Sequence, residues 1–325
     1  MGPQVQPASD RMNPPTEATA DMEPTNAHRL RPKSRRRHRR RHLPSMSVMA
    51  TLCTLGNLVA GFAAIHYASM PPDFAGPWGW SGLTFAGALI FLGMLFDAVD
   101  GSIARLTRST SEVGGQLDSL ADMVTFGVAP AYIMLRLVGQ HLADDTGVTI
   151  IGPEADDVLG KVLWAVAVVY VCCTGLRLAR FNIEATSSRI ERRVSFRGLP
   201  SPGAAGTIAS LILLHQHLLV AKYIDGVSSG FVRGATLGIP LIVLLCAVGM
   251  VSSISYVHFT NRYIRGPRSF AYVVRLVVAM ALAVSWPRET LALLFTAYAL
   301  SGPAQLLISR SRPAAGDADA PRPDE

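Results

Sequence analysis

Four aspartates interrupt two apolar stretches between residues 97 and 122, and their spacing predicts that they form one site. Asp97 and Asp100 are three residues apart, and Asp118 and Asp122 are four residues apart. In an α-helix either spacing puts both side chains on the same face. Carboxylates are costly to hold within an apolar helix, so acids in such positions usually serve a function. The alternative, a solvated helix end, explains one pair but explains two pairs poorly.

The two pairs can converge because a short connection, near 106–113, joins the apolar stretches that carry them. Helices joined in this way run antiparallel, which places both pairs at a similar depth. Four carboxylates in a low-dielectric setting repel one another strongly unless protons or cations neutralise them. Carboxylate oxygens are hard ligands for Mg²⁺, Mn²⁺ or Ca²⁺, and four carboxylates are enough for two divalent ions. Such a two-metal site suits displacement at phosphorus.

The composition indicates which elements position these acids. Half of the 325 residues are hydrophobic and only 16% are charged, whereas roughly a quarter of a soluble domain is charged. This excludes an ordinary cytosolic enzyme. Apolar segments of about 20 residues, the length that crosses a bilayer, recur along the chain. We therefore predict an all-α, polytopic membrane bundle of about eight transmembrane helices, with a six-helix catalytic core and a C-terminal pair. The spans are predicted near 48–69, 81–104, 115–137, 158–179, 199–220, 234–256, 270–286 and 289–308.

The basic residues predict the orientation of the bundle. The connections 70–80, 138–157, 221–233 and 287–288 together hold only three basic residues, whereas arginines cluster in the alternate connections and at both ends of the chain. Positive charge favours the cytoplasmic side. We therefore expect a multi-pass protein of the cell membrane, with both termini and the aspartates on the cytoplasmic side.

The residues before the first span carry most of the net charge of the chain. Residues 1–43 have a net charge of +6 out of a total of +7. Such a basic segment could bind nucleic acid or an anionic leaflet. Because the chain becomes apolar a few residues later, we favour the leaflet and expect no nucleic-acid partner. The predicted organisation is a disordered basic cytoplasmic tail, a catalytic membrane domain, a C-terminal helix pair and a disordered cytoplasmic tail, at 1–43, 44–260, 261–310 and 311–325.

Small residues accompany the acids. Gly101 and Ala104 lie on the helix face that carries the first aspartate pair, and Gly114 begins the next span. Small side chains allow either close helix packing or close approach of a bulky ligand. Beside four aspartates we favour the ligand.

The whole pattern resembles the signature of a known family, the CDP-alcohol phosphatidyltransferases. Members displace CMP from a CDP-linked lipid with an alcohol and use two divalent metal ions. The resemblance implies that Asp97, Asp100 and Asp118 are metal ligands, and that Asp122 is the catalytic base and also touches metal. It also implies that Gly101, Ala104, Arg105 and Gly114 surround the substrate, with the cytidine near the three small residues. The matching pattern is Asp97-x2-Asp100-Gly101-x2-Ala104-Arg105-x8-Gly114-x3-Asp118-x3-Asp122.

Four further stretches are similar to the bacterial branch of that family that uses L-serine. This resemblance implies CDP-diacylglycerol and L-serine as substrates, phosphatidylserine and CMP as products, and a homodimer. The same chemistry with glycerol 3-phosphate, inositol phosphate or choline as acceptor is the nearest alternative. A divalent-cation transporter is an alternative of another class, although all four acids cluster near one side and none lies midway through a later span. The stretches are 52–61, 117–130, 176–182 and 196–206.

Two polar residues outside the signature are candidates for substrate contacts. Serine brings a carboxylate, and Arg180 is our first choice as its cation. The alternative for Arg180 is a topology anchor or a lipid-phosphate contact. Asn57 is a polar residue in an apolar span, and it could hydrogen-bond either the cytosine or a neighbouring helix.

Overall fold

Helices account for nearly all of the chain that the computed structural model describes. It describes residues 44–107, 112–142, 151–187, 198–225, 229–254 and 270–311. No strand occurs within these ranges, so the predicted all-α class is confirmed. The two predicted tails, 1–43 and 311–325, lie outside the described residues apart from Ser311.

Within the described ranges, eight helical rods correspond to the eight predicted spans. The third rod is interrupted by a π-helical segment, Met123–Val128, which joins α3 to α4 without a break. The short turn Pro77–Gly79 precedes the second rod. The helices are α1 Pro44–Ala68, α2 Gly82–Thr107, α3 Glu112–Asp122, α4 Ala129–Leu142, α5 Val158–Ser187, α6 Ser201–Asp225, α7 Ser229–Val251, α8 Phe270–Ser285 and α9 Pro287–Ser311.

Five segments within the described ranges are long and apolar enough to cross a membrane. No such segment lies within the described parts of α6, α8 and α9. The helix α8 has only 16 residues. The five segments are Val48–Ala68, Gly82–Ile103, Val113–His141, Val158–Ile183 and Gly234–Val251.

The helix α1 crosses close to both α2 and the π-helical segment. A Cβ atom at Gly61 of α1 would lie 2.8 Å from the backbone Cα of Thr125. A Cβ atom at Gly93 of α2 would lie 2.5 Å from Thr125 Cγ2. Thr125 is fully buried, and its hydroxyl donates a hydrogen bond of 2.9 Å to the carbonyl of Asn57. Glycine is therefore required where three elements meet.

The π-helical segment is held from a second side by α5. A π turn departs from the regular i to i−4 hydrogen-bond pattern and changes which carbonyls have partners within the helix. The hydroxyl of Tyr170, which is fully buried, donates a hydrogen bond of 2.9 Å to the carbonyl of Phe126. The segment starts directly after Asp122, so α1 and α5 together fix the backbone that continues from the aspartates.

The substitution Gly61→Ala tests this crossing. The added methyl would collide with backbone, which no rotamer change relieves, and overpacking of this kind costs about 1–3 kcal/mol. We expect a melting temperature several degrees lower in detergent. Gly238→Ala in α7 is the matched control, because no heavy atom lies within 4 Å of its added Cβ. Equal melting temperatures for the two variants would contradict the close crossing.

Candidate functional site

The ends of α2 and α3 bring three of the four aspartates together. One carboxylate oxygen from each of Asp97, Asp100 and Asp118 lies within 4.8 Å of the others. Asp100 is 5% exposed, and the other two are half-buried. Asp122 lies one turn further along α3 and is buried. The spacing predicts the convergence of four carboxylates, and the structure groups three of them.

The helix α1 supplies hydrogen-bond donors to this cluster. Thr54 Oγ1 donates to Asp100 Oδ2 at 2.9 Å, and Asn57 Nδ2 donates to Asp122 Oδ1 at 3.0 Å. Both donors are buried, with exposed fractions of 5% and 0%. They are three residues apart and therefore share one face of α1. Each of the two helices that carry the aspartates is thus tied to the same turn of α1.

Thr54 is a site residue that the sequence analysis missed. It lies three positions before Asn57 and therefore on the same helix face, but α1 also contains Ser45, Ser47 and Thr51, and the spacing alone does not single out Thr54 among them. For Asn57 the structure has the contact to a neighbouring helix, which was one of its two expected roles. A contact between Asn57 and the cytosine stays a prediction.

The carboxylate oxygens of the cluster are suitable ligands for a divalent cation. Asp118 Oδ1 is buried and has no hydrogen-bond partner among the described residues, so this carboxylate oxygen lacks a compensating donor there. Three carboxylates at this separation repel one another, and a hard cation is the natural group to neutralise them. Asp97, Asp100 and Asp118 could therefore hold a metal ion.

The position of Gly101 is open within the described part of the chain. No described heavy atom lies within 4 Å of the position that a Cβ of Gly101 would occupy, and its role at a substrate stays a prediction. Gly114 is half-buried near the start of α3. Ala104 and Arg105 belong to α2, but their side chains lie outside the described part of the chain.

The helix α5 approaches the aspartate helix through Asn182 and not through Arg180. Asn182 Nδ2 donates to Ser119 Oγ at 2.9 Å, beside Asp118. Arg180 is two residues earlier, which is about 200° around the helix, and it is exposed. It lines a cavity of about 430 Å³ between α5 and α7, with Met250 on the other side. The structure therefore does not bring Arg180 to the aspartates, and its role stays a prediction.

Comparison with known proteins identifies the class to which this site belongs. A family model described as CDP-alcohol phosphatidyltransferase matches residues 47–248. The chain belongs to this family, and it is an enzyme of the phosphotransferase class that takes part in phospholipid biosynthesis. This membership decides against the cation transporter.

Individual relatives carry a more specific name, CDP-diacylglycerol–serine O-phosphatidyltransferase. The protein of that name from Helicobacter pylori is 30% identical over 253 residues, which are 77% of this chain and 87% of the relative. The one from Bacillus subtilis is 30% identical over 183 residues, which are 56% of this chain and 85% of the relative. The one from Methanocaldococcus jannaschii is 28% identical over 195 residues, which are 60% of this chain and 72% of the relative.

The hydrogen bond from Thr54 to Asp100 can be tested without an activity assay. Thr54→Val keeps the shape of the side chain and removes the donor that orients the carboxylate. Loss of such a supporting partner typically weakens metal binding about 10- to 100-fold. We expect this loss for Mn²⁺ binding, measured by electron paramagnetic resonance on the purified protein.

Thr207→Val is the matched control for this test. Thr207 is a buried threonine of α6 whose hydroxyl bonds backbone carbonyls of Gly203 and Phe295. We expect it to leave Mn²⁺ affinity unchanged. An equal affinity for the two variants would show that Thr54 does not orient Asp100.

Proposed function

We propose that this enzyme transfers the phosphatidyl group of CDP-diacylglycerol to the hydroxyl of L-serine, which gives phosphatidylserine and CMP. The observation that carries the proposal is the cluster of Asp97, Asp100 and Asp118 in a chain whose relatives from three organisms are named for this reaction. Glycerol 3-phosphate, inositol phosphate and choline would use the same aspartates and differ only in the acceptor.

We assign the metal-holding role to the aspartates. Asp97, Asp100 and Asp118 would hold divalent ions, with Asp122 as a further ligand for the second of two. Mg²⁺ and Mn²⁺ suit these oxygen ligands best, and Ca²⁺ also fits. The uncompensated Asp118 Oδ1 supports this assignment. Bound ions would neutralise the pyrophosphate of the donor lipid and stabilise the departing CMP.

Asp122 is the proposed general base. A serine hydroxyl is a weak nucleophile at neutral pH, and a positioned carboxylate helps by taking its proton as the new bond forms. The serine oxygen bonds to the β-phosphorus, the bond from that phosphorus to the oxygen of CMP breaks, and the hydroxyl proton passes to Asp122. Asn57 contacts Oδ1 of Asp122, so Oδ2 is the oxygen that we assign to the proton.

The remaining groups bind substrate and exchange product. The open space at Gly101 can admit the cytidine, and Ala104, Arg105 and Gly114 would flank it. Arg180 would pair with the serine carboxylate. We place the aspartates near the cytoplasmic face of the cell membrane, where serine and CMP can exchange while the acyl chains stay in the bilayer. The active form is proposed to be a homodimer.

The acceptor is tested by supplying each alcohol in turn. Release of CMP from CDP-diacylglycerol is measured with L-serine, glycerol 3-phosphate, inositol phosphate and choline, with and without divalent metal. We expect metal-dependent release with L-serine alone. A faster rate with another alcohol would replace serine and leave the family chemistry intact.

The substitution Asp122→Asn tests the proposed role of Asp122 as the general base. The amide keeps the side-chain shape and cannot accept the proton, so single-turnover release of CMP should slow by at least about a hundredfold. Binding of Mn²⁺ and lipid should persist, with a modest loss of affinity because Asp122 is also proposed to touch metal. Asp73→Asn, at an exposed position before α2, is the control. Near-normal turnover would remove Asp122 as the base, and complete loss of metal binding would make it solely a ligand.

Arg180→Ala tests the serine contact. Loss of a charge-assisted hydrogen bond should raise the KM for serine roughly ten- to a hundredfold and leave the KM for CDP-diacylglycerol nearly unchanged. Steady-state kinetics on both substrates, with Arg180→Lys as the charge-preserving control, provide the measurement. An equal rise for both substrates would indicate a lipid-phosphate contact instead.

A further inference from the structure

A second polar cavity lies at the opposite end of the bundle from the aspartates. It has a volume of about 320 Å³ and is bordered by the connection before α2, the first turn of α2, α6 and the start of α9. Thr84 lines it, and Asp97 is 13 residues further along α2, which is about 20 Å of helix. Its lining includes the polar and aromatic residues Trp78, Trp80, Ser81, Gln216, His217 and Arg288.

The cavity presents hydrogen-bond donors. Gln216 Oε1 accepts from Ser81 Oγ at 2.8 Å, whereas Gln216 Nε2 is buried and has no hydrogen-bond partner among the described residues. Arg288 Nη1 lies 2.6 Å from His217 Nδ1. A guanidinium only donates, so His217 Nδ1 is the acceptor and Nε2 carries the proton that faces Glu289, 3.3 Å away. No acidic side chain is among the described residues that line the cavity.

Two tryptophan rings form one edge of the cavity, with Trp78 exposed and Trp80 half-buried. The ring centroids of Trp78 and Trp80 are 5.5 Å apart, and both pack on Phe85. Trp78 is 81% exposed, and its φ of 63° makes it the one non-glycine residue in the described ranges with a positive φ. Bulky residues rarely adopt that conformation, and such strain concentrates at functional positions. Exposed tryptophans are typical of the level where lipid headgroups meet water.

We propose that this cavity binds the phosphate of an anionic phospholipid from the leaflet opposite the aspartates. Arg288 and the amide nitrogen of Gln216 donate to the phosphate oxygens, as expected for a site whose described lining is rich in donors and holds no acidic side chain. Glu289, beside the cavity, faces His217. The volume is at the lower end of ligand pockets, so it suits a headgroup, with the acyl chains left in the bilayer. The aromatic edge at headgroup level favours a lipid over a soluble phosphate.

Two substitutions test the donors separately. Arg288→Gln removes the charge, and Gln216→Glu is nearly isosteric, keeps an oxygen for Ser81 and replaces the donor with a negative charge. The full-length protein in detergent is titrated with phosphatidylglycerol, and bound lipid is measured by native mass spectrometry. We expect the dissociation constant of the tightest lipid to rise about tenfold or more in each variant.

Lys161→Gln is the matched control, because it removes a charge from an exposed residue near the start of α5 and leaves the cavity intact. We expect it to bind phosphatidylglycerol like the native protein. Equal affinity in the native protein, Arg288→Gln and Gln216→Glu would overturn the proposal.

Two further probes distinguish the source of the phosphate. Diacylglycerol, which lacks phosphate, should show no difference between the native protein and the two variants. Inorganic phosphate in large excess should not displace phosphatidylglycerol from the native protein. Displacement by inorganic phosphate, or an equal loss of diacylglycerol binding in the variants, would overturn the assignment to a lipid phosphate.

Discussion

Mutual repulsion among clustered carboxylates is the constraint that organises this enzyme. One oxygen from each of three carboxylates lies within 4.8 Å of the others, in a partly buried setting that screens charge poorly. Such a cluster stays assembled only if the surrounding helices cannot move apart. The helix α1 provides that restraint, because Thr54 and Asn57 tie it to Asp100 and Asp122. The close crossing at Gly61 then fixes α1 against the π-helical segment that follows Asp122.

Helical periodicity was enough to predict the all-α class and the meeting of the aspartates, because three- and four-residue spacings fix a face. It could not predict Thr54, since a threonine in an apolar helix commonly bonds its own backbone, as Thr54 also does to Ala50. The sequence was equally unable to predict which side of α5 faces α3. Whether Asn182 or Arg180 faces α3 depends on how the helix is rotated in its packing, which a nearly uniform apolar sequence does not specify.

The helix α9 lies beyond the family match and is still closely packed against the core. A Cβ atom at Gly206 of α6 would collide with the ring of Phe295 in α9, and Thr207 donates to the carbonyl of Phe295 at 3.1 Å. Thr207 is fully buried. The helix α9 therefore covers one side of α6. A buried polar group of α6 such as Thr207 can lie inside the bundle because the neighbouring helix supplies a hydrogen-bond acceptor for it.

The π-helical segment after Asp122 changes the helical phase between α3 and α4. Side chains on the two helices therefore do not follow one continuous face, as they would in a regular helix. One additional residue in a helical rod turns every later side chain by about 100° relative to those before it. The face of α3 that carries Asp118 and Asp122 can thus be set for chemistry, while the face of α4 is set independently for packing. Natural substitutions in α4 can then accumulate without changing the direction of Asp118 and Asp122. A deletion that restored the regular helical phase would turn either the aspartates of α3 or the packing residues of α4 away from their present directions.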